Sequence, residues 1–325
     1  MVTGGAGFIG SHLTDELLGQ GYAVTVIDNL ANGTRDNLAE AFNHEAFTFY
    51  EGDILNKTDC ATAAMGAEYI FHLACLGVRH SIHSPFENHR VNAEGTLNVL
   101  DAGLKNKVKK FFYISSSEVY GKVKEFPIKE TSLPEPLTVY GASKLVGEYY
   151  TNAYNTCYNL DTTVLRIFNN YGPRAHYEGD SGEIIPRTIV NLLYDKQPVI
   201  FGDGNITRDF FYVKDTARAL AGLMANHEIN GKTINIGTGV EITMKKLVAD
   251  LMKLMGKEQV GIDFQEDRPA DVPRLWVDNE KFKQLTGFEP AYSFEQGLAE
   301  TIPYYENLMT EKDLISRIVV KNWQK

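Results

Sequence analysis

The chain has 325 residues, 43% of them hydrophobic, which is enough to bury a full core as one large domain or two smaller ones. Its 32 basic and 42 acidic residues leave a net charge of −10, which argues against nucleic-acid partners but allows a small basic pocket. The apolar stretches are too short to span a bilayer, and no signal-like segment opens the chain.

Three cysteines, Cys60, Cys75 and Cys157, form no disulfide framework, so a reducing, cytoplasmic setting is expected. His80 and His83 are the only close histidine pair and lack a nearby third ligand, so no metal is expected.

A stub at Met1–Thr3 precedes a glycine-rich turn. Either the first strand is short or the chain begins upstream of Met1. Ile9, Leu13 and Leu17 recur every four residues and predict a helix. Short runs rich in Val, Ile, Phe and Tyr predict buried strands at Ala23–Ile27, Phe47–Tyr50, Tyr69–Leu73 and Phe111–Ser115. Ala93, Leu97, Leu100 and Leu104 predict one buried helical face. This alternation implies an α/β fold with a Rossmann-type, doubly wound parallel sheet. After about Tyr171 the rhythm becomes irregular. Residues 1–170 are therefore read as a dinucleotide-binding domain. Residues 171–325 are read as a smaller mixed α/β region for substrate, with the chain crossing back to the first domain.

Two motifs carry chemistry. In the first, Gly4, Gly7 and Gly10 are spaced three apart, so missing side chains let backbone N–H groups and a helix N-terminus approach a pyrophosphate, with Phe8 and Ile9 inside the turn. Asp28 ends the next strand, about 20 residues on, where a carboxylate accepts the ribose hydroxyls of NAD and repels the extra phosphate of NADP. Asp53 follows the third strand and is a candidate for the adenine end. In the second, Tyr140 and Lys144 lie four residues apart and share one helical face. A cation there lowers the phenol's pKa from its usual ~10, and the phenolate can then take a proton from a sugar hydroxyl. Ser115-Ser116-Ser117-Glu118 ends the fourth predicted strand, where open parallel sheets bind ligands.

Thr3–Leu13, Asp28-Asn29-Leu30, Ser115–Gly121 and Tyr140–Lys144 together resemble the extended short-chain dehydrogenase/reductase family, specifically its nucleotide-sugar epimerases, dehydratases and decarboxylases. Later segments extend the likeness to about Pro290: Arg166 to Arg174, Phe201 to Phe210, and Arg268-Pro-Ala-Asp271. The resemblance implies that Asn29, Leu30, Ile54, Leu73 and Ala74 join the cofactor set with Tyr140 and Lys144. It implies Asn169, Arg208, Arg268 and Asp271 around a nucleotide diphosphate, and Ser116, Ser117 and Glu118 beside the sugar. Arg79 and Arg174 resemble positions in UDP-glucuronate 4-epimerases, where an arginine could pair a sugar carboxylate. Finally, it implies a homodimer in which the helix from about Asn92 to Leu104 and the Tyr140–Lys144 helix form a four-helix bundle.

The family's shared first step is oxidation at C4 of the sugar, from which three branches lead: 4-epimerisation, 4,6-dehydration and decarboxylation. Many dTDP-glucose 4,6-dehydratases have Asp-Glu where this chain has Ser117-Glu118, so the acid is missing. Asp209, after Arg208, differs from the small residue usual in decarboxylases. A UDP-hexose or UDP-hexuronate 4-epimerase is the first reading, with a dehydratase and then a decarboxylase behind it. A protein that binds a dinucleotide without catalysis is disfavoured because both Tyr140 and Lys144 are present.

Overall fold

The computed structural model describes residues 1–268 and 271–323. Seven strands form the main sheet: β1 (Val2–Thr3), β2 (Val24–Asp28), β3 (Phe47–Glu51), β4 (Tyr69–His72), β5 (Lys110–Ser116), β6 (Thr162–Ile167) and β7 (Thr233–Ile236). Their spatial order is β7-β6-β5-β4-β1-β2-β3, every pair parallel. The order reverses direction at β1 and β4, and open α/β sheets bind ligands at such a switch point. β1 is short. Its two residues pair with Val26–Ile27 on one side and Phe71–His72 on the other.

Side chains alternate between two covered faces, which is why the strands read as continuous apolar runs. Val26, Phe71, Phe112 and Ile114 pack under α1 (Phe8–Gly19) and a later helix at Val213–Gly222. Ile27, Ile70, Phe111 and Tyr113 face α2 (Thr96–Lys105) and α3 (Val139–Tyr158). A separate core, including Ile185, Ile189, Tyr212, Leu247, Leu251 and Leu298, lies beneath α4 (Ile184–Leu193) and α5 (Phe294–Glu311). β7 comes from the second half of the chain and forms an edge of the main sheet.

The four predicted strands appear within one or two residues of their expected bounds. The helix before Leu104 departs from expectation. Leu97 is 38% exposed, while Thr96, Val99 and Leu100 are buried. A wide π turn at Arg90–Gly95 runs into α2 and breaks the 3.6-residue rhythm on which the count relied.

No helix among the described residues is long and apolar enough to cross a membrane. No group of three or more metal-ligating side chains occurs among them either. His80 lies against Glu87 at 3.2 Å, and His83 bonds Asp180 at 2.8 Å.

Candidate active site

One cleft of about 600 Å³ runs across the C-terminal ends of the sheet strands. Its cofactor end begins at the glycine turn. A Cβ on Gly10 would stand 2.2 Å from the Gly4 carbonyl oxygen, so the tight approach of turn to helix requires glycine. Gly7 caps α1 with no side chain over its N-terminus, which leaves first-turn amides facing the cleft. Asp28 is 8% exposed; its Oδ2 accepts from the Ala6 amide at 2.9 Å and its Oδ1 from the Leu30 amide at 2.8 Å. Burial pushes this carboxyl up, and the two amides only partly offset it. Asn29 donates to Asp53 at 3.2 Å, and both line the cleft with Ile54, Leu73 and Ala74. Leu30 is the exception. Its backbone serves Asp28, but it does not line the cleft.

A cradle a side chain would fill, open helix amides and a strand-end carboxylate already oriented by backbone together suit the pyrophosphate and adenosine ribose of NAD.

The reactive end is built by α3 lying close on β5. A Cβ on Gly147 would sit 2.2 Å from the Tyr113 hydroxyl, so glycine permits this contact. Thr138 caps α3 by accepting from the Gly141 amide at 3.1 Å. That start places Tyr140 and Lys144 over the strand end, where both line the cleft with Ser116. The Ser116 hydroxyl accepts from the Glu118 amide at 3.2 Å. Lys144 is 3% exposed, donates to the Ile114 carbonyl at 2.5 Å and lies 4.8 Å from the Tyr113 ring. The expected lowering of the phenol by Lys144 is not realised in the protein alone. Burial pushes Tyr140 well above its ordinary range, Cys75 adds to this, and Ser116 opposes it. Burial likewise lowers the Lys144 ammonium.

Glu118 faces the same cleft, and its carboxylate has no hydrogen bond or ion pair among the described residues. Burial pushes it up, and Arg208 partly offsets this.

At the far end stand arginines. Arg208 donates to Asp271 at 2.5 Å and to the Thr207 and Val272 carbonyls at 2.8 and 2.7 Å. Arg79 pairs Glu183 at 3.2 Å. Burial works against the Glu183 charge, but Arg79 holds the carboxyl below its usual range. Arg268 and Arg187 form no ion pair among the described residues. Burial and neighbouring guanidiniums lower both to about 10. Asn169 lines the cleft with its Oδ1 buried and unbonded.

Arg174 is a correction. It pairs Asp15 at 2.6 Å in a second depression on the far side of α1, beside His12 and Pro173, and does not reach the cleft. Arg166 also points away, into a buried pair with Glu148 at 2.7 Å. Asp209 is fully buried and clamps the Thr238 and Gly239 amides at 2.9 and 2.8 Å, so it has a framework role. The motifs did not single out Arg187, Glu183 or Cys75, all of which line the cleft.

Residues 1–301 match the family model described as GDP-mannose 4,6 dehydratase. A putative UDP-glucose 4-epimerase of Methanocaldococcus jannaschii is 36% identical over 310 residues, spanning 94% of this chain and 98% of the relative. The crystal structure of UDP-glucose 4-epimerase from Thermotoga maritima with UDP-glucose superposes with a TM-score of 0.89 at 35% identity, covering 95% of this chain and 98% of that one. The dTDP-glucose 4,6-dehydratase DesIV of Streptomyces venezuelae, solved with NAD bound, gives 0.90 at 32% identity, covering 96% and 98%. Glycine turn, strand-end carboxylate, tyrosine–lysine helix and whole-chain likeness agree: the chain belongs to the extended short-chain dehydrogenase/reductase family, in its nucleotide-sugar group.

Proposed function

We propose that the chain is an NAD-dependent nucleotide-sugar 4-epimerase acting on a UDP-hexose or UDP-hexuronate. The observation that carries this is the placing of Tyr140, Lys144 and Ser116 in one cleft, between a carboxylate-marked cofactor end and an arginine-lined far end. Gly4 to Gly10 and Asp28 hold NAD, which supplies the two-electron oxidation at the sugar carbon. Tyr140 accepts the C4 hydroxyl proton, with Ser116 bridging the sugar oxygen and the phenol. Lys144, one turn along the same helix, supplies the cation that favours the phenolate once cofactor and sugar fill the cleft. Asn169, Arg208 and Arg268 hold the diphosphate, so the 4-keto sugar can turn about it and present its other face. Tyr140 then returns the proton to the inverted hydroxyl.

A hydroxyl, Ser117, precedes Glu118 where a dehydratase would use an acid on the leaving C6 oxygen, and it is 3% exposed. That favours epimerisation. The unpaired Glu118 carboxylate supports the second reading, a 4,6-dehydratase in which it removes the C5 proton. In this proposal residues 1–170 serve the cofactor and 171–325 mainly the nucleotide-sugar. The protein works in the cytoplasm as a homodimer through α2 and α3, whose Leu97 and Tyr149 are 38% and 65% exposed. Mass spectrometry and proton NMR of products from UDP-glucose, UDP-glucuronate, dTDP-glucose and GDP-mannose test the reaction. Unchanged mass with inversion at C4 supports the epimerase; loss of water or of carbon dioxide overturns it.

A further inference from the structure

Beyond α5 the chain runs on from Lys312 to Trp323, outside residues 1–301 that match the family. Lys312 pairs Asp36 at 2.9 Å, and the fully buried Leu314 donates its amide to the Tyr194 hydroxyl at 3.3 Å. The segment then meets the arginine end of the cleft. The Val320 carbonyl accepts from Arg187 at 3.0 Å. Asn322 donates to the Gly182 carbonyl at 3.2 Å and to the Asp180 carbonyl at 3.4 Å. Trp323 stands edge-on to Phe201 at 4.7 Å, and the Arg268 guanidinium lies 5.3 Å from the Trp323 ring and 5.0 Å from the Phe201 ring.

These contacts converge on cations. Val320 and Trp323 touch Arg187 and Arg268 directly. The Asp180–Gly182 loop held by Asn322 leads into Glu183, the partner of Arg79. Asn322 and Trp323 are 2% and 8% exposed, so the segment is part of the folded body. The Nε atoms of Arg79, Arg187 and Arg268 and the Oδ1 of Asn322 are buried without partners among the described residues. Unpartnered buried polar atoms are costly, and a bound ion is one thing that satisfies them. Arg268, held between two aromatic rings, and Arg187, held on a backbone carbonyl, have each already lost rotamer freedom, so less is lost when an anion arrives.

We propose that residues 320–323 form a strap that sets the grip on the nucleoside diphosphate half of the substrate. Trp323 is the positioning residue for Arg268, and Arg187 is a third arginine at the same anion. This rests on the reading of Arg208 and Arg268 as diphosphate contacts.

The test uses the full chain with its cofactor, titrated calorimetrically with UDP and with dTDP, alongside steady-state kinetics on the accepted nucleotide-sugar. Trp323→Ala should weaken nucleoside diphosphate binding about 10-fold, a change of about 1.4 kcal/mol. KM should rise by a similar factor, kcat should fall much less, and bound NAD should be retained. Trp323→Phe should restore most of the affinity, and Arg187→Met should weaken UDP as Trp323→Ala does. Unchanged UDP affinity in Trp323→Ala, while Arg268→Met loses it, refutes the strap and leaves the diphosphate reading standing. Unchanged affinity in both Arg208→Met and Arg268→Met overturns that reading and the strap with it. Parallel loss of kcat, NAD and thermal stability in Trp323→Ala also overturns the proposal, because the segment would then serve folding alone.

Discussion

Glu148 and Arg166 are sealed under the strand end that carries Ser116, and breaking them should be expensive. Glu148 lies on α3 one turn beyond Lys144. Its Oε1 accepts from the Ser115 hydroxyl at 2.5 Å and from Arg166 Nε at 2.9 Å, and its Oε2 accepts from Arg166 Nη2 at 2.7 Å. Arg166 also donates to the Tyr120 hydroxyl at 2.9 Å and lies 4.7 Å from that ring. The two side chains are 3% and 7% exposed, so water cannot replace a lost partner. Glu148→Gln keeps the shape and removes the counter-charge. Stranding one charge of such a pair costs ~3–5 kcal/mol, a large part of a typical total of ~5–15 kcal/mol. Urea unfolding at pH 7, monitored by fluorescence, should show a loss of that size. Replacing both, Glu148→Leu with Arg166→Met, should recover much of it, since no charge is then left unpaired. A loss below about 1 kcal/mol in Glu148→Gln would contradict the charge argument. So would a double variant as unstable as the two single variants combined.

Tyr140→Phe should retain fold and bound cofactor while turnover drops by ~10²-fold or more; kinetics within a few-fold of the parent would remove the tyrosine from the mechanism. Asp28→Ala should weaken NAD more than NADP by calorimetry, and equal losses would count against its ribose role. His72 and His12 are held down at about 3 by burial, with Lys144 and Arg174 respectively adding to it. Their folded pKa lies below the unfolded ~6.5, so the stability they contribute is full above that value and lost as pH falls toward 3. At pH 5 the cost is about 2 kcal/mol each. Melting temperature should therefore fall steadily below pH 6.5, less so in His72→Gln; a flat profile would show that neither histidine is buried neutral. Glu118→Gln should cost an epimerase less than ~10-fold in turnover, about 1.4 kcal/mol of barrier. For a dehydratase it should abolish deuterium uptake from solvent at C5.

The parts legible in the sequence were those whose physics is local. A buried parallel strand must be apolar along its whole length, so β2 to β5 stood out. The glycine turn and the Tyr140–Lys144 face each occupy a few consecutive residues, and the fold only has to aim them. Leu97 misled because the π turn at Arg90–Gly95 changes the period without a compositional mark. Arg174 misled because its motif neighbours do reach the cleft. Its own backbone is left-handed, with φ of 65°, and its side chain goes to Asp15 on the other side of α1. Arg187 was invisible for the opposite reason. It sits on an ordinary apolar helix, and its carbonyl partner lies 133 residues away at Val320. No short-range pattern encodes such a contact.

The distribution of charge along the cleft limits how a substrate lies in it. Arg208 and Arg79 are already matched by Asp271 and Glu183, at 2.5 and 3.2 Å. Arg187 and Arg268 have no carboxylate partner among the described residues, and burial has lowered both to about 10. Burial and neighbouring guanidiniums disfavour both charges, nearby carboxylates offset this only in part, and a bound dianion would relieve it. Glu118 has no ion pair among the described residues; burial pushes its carboxyl up, and Arg208 and Arg79 act against that. In the proposed reading the diphosphate meets Arg208 and Arg268 with Arg187 beside them, and the sugar lies by Tyr140 and Glu118. A hexuronate would bring its carboxylate toward Glu118, and Arg79 would have to leave Glu183 to neutralise it. That exchange gives up a formed pair for a new one. The same cleft should therefore turn over a UDP-hexose with a lower KM than the matching UDP-hexuronate, and Glu183→Gln, which frees Arg79, should narrow the difference. A hexuronate preferred by the parent protein and unaffected by Glu183→Gln would show that the sugar's carboxylate is met elsewhere.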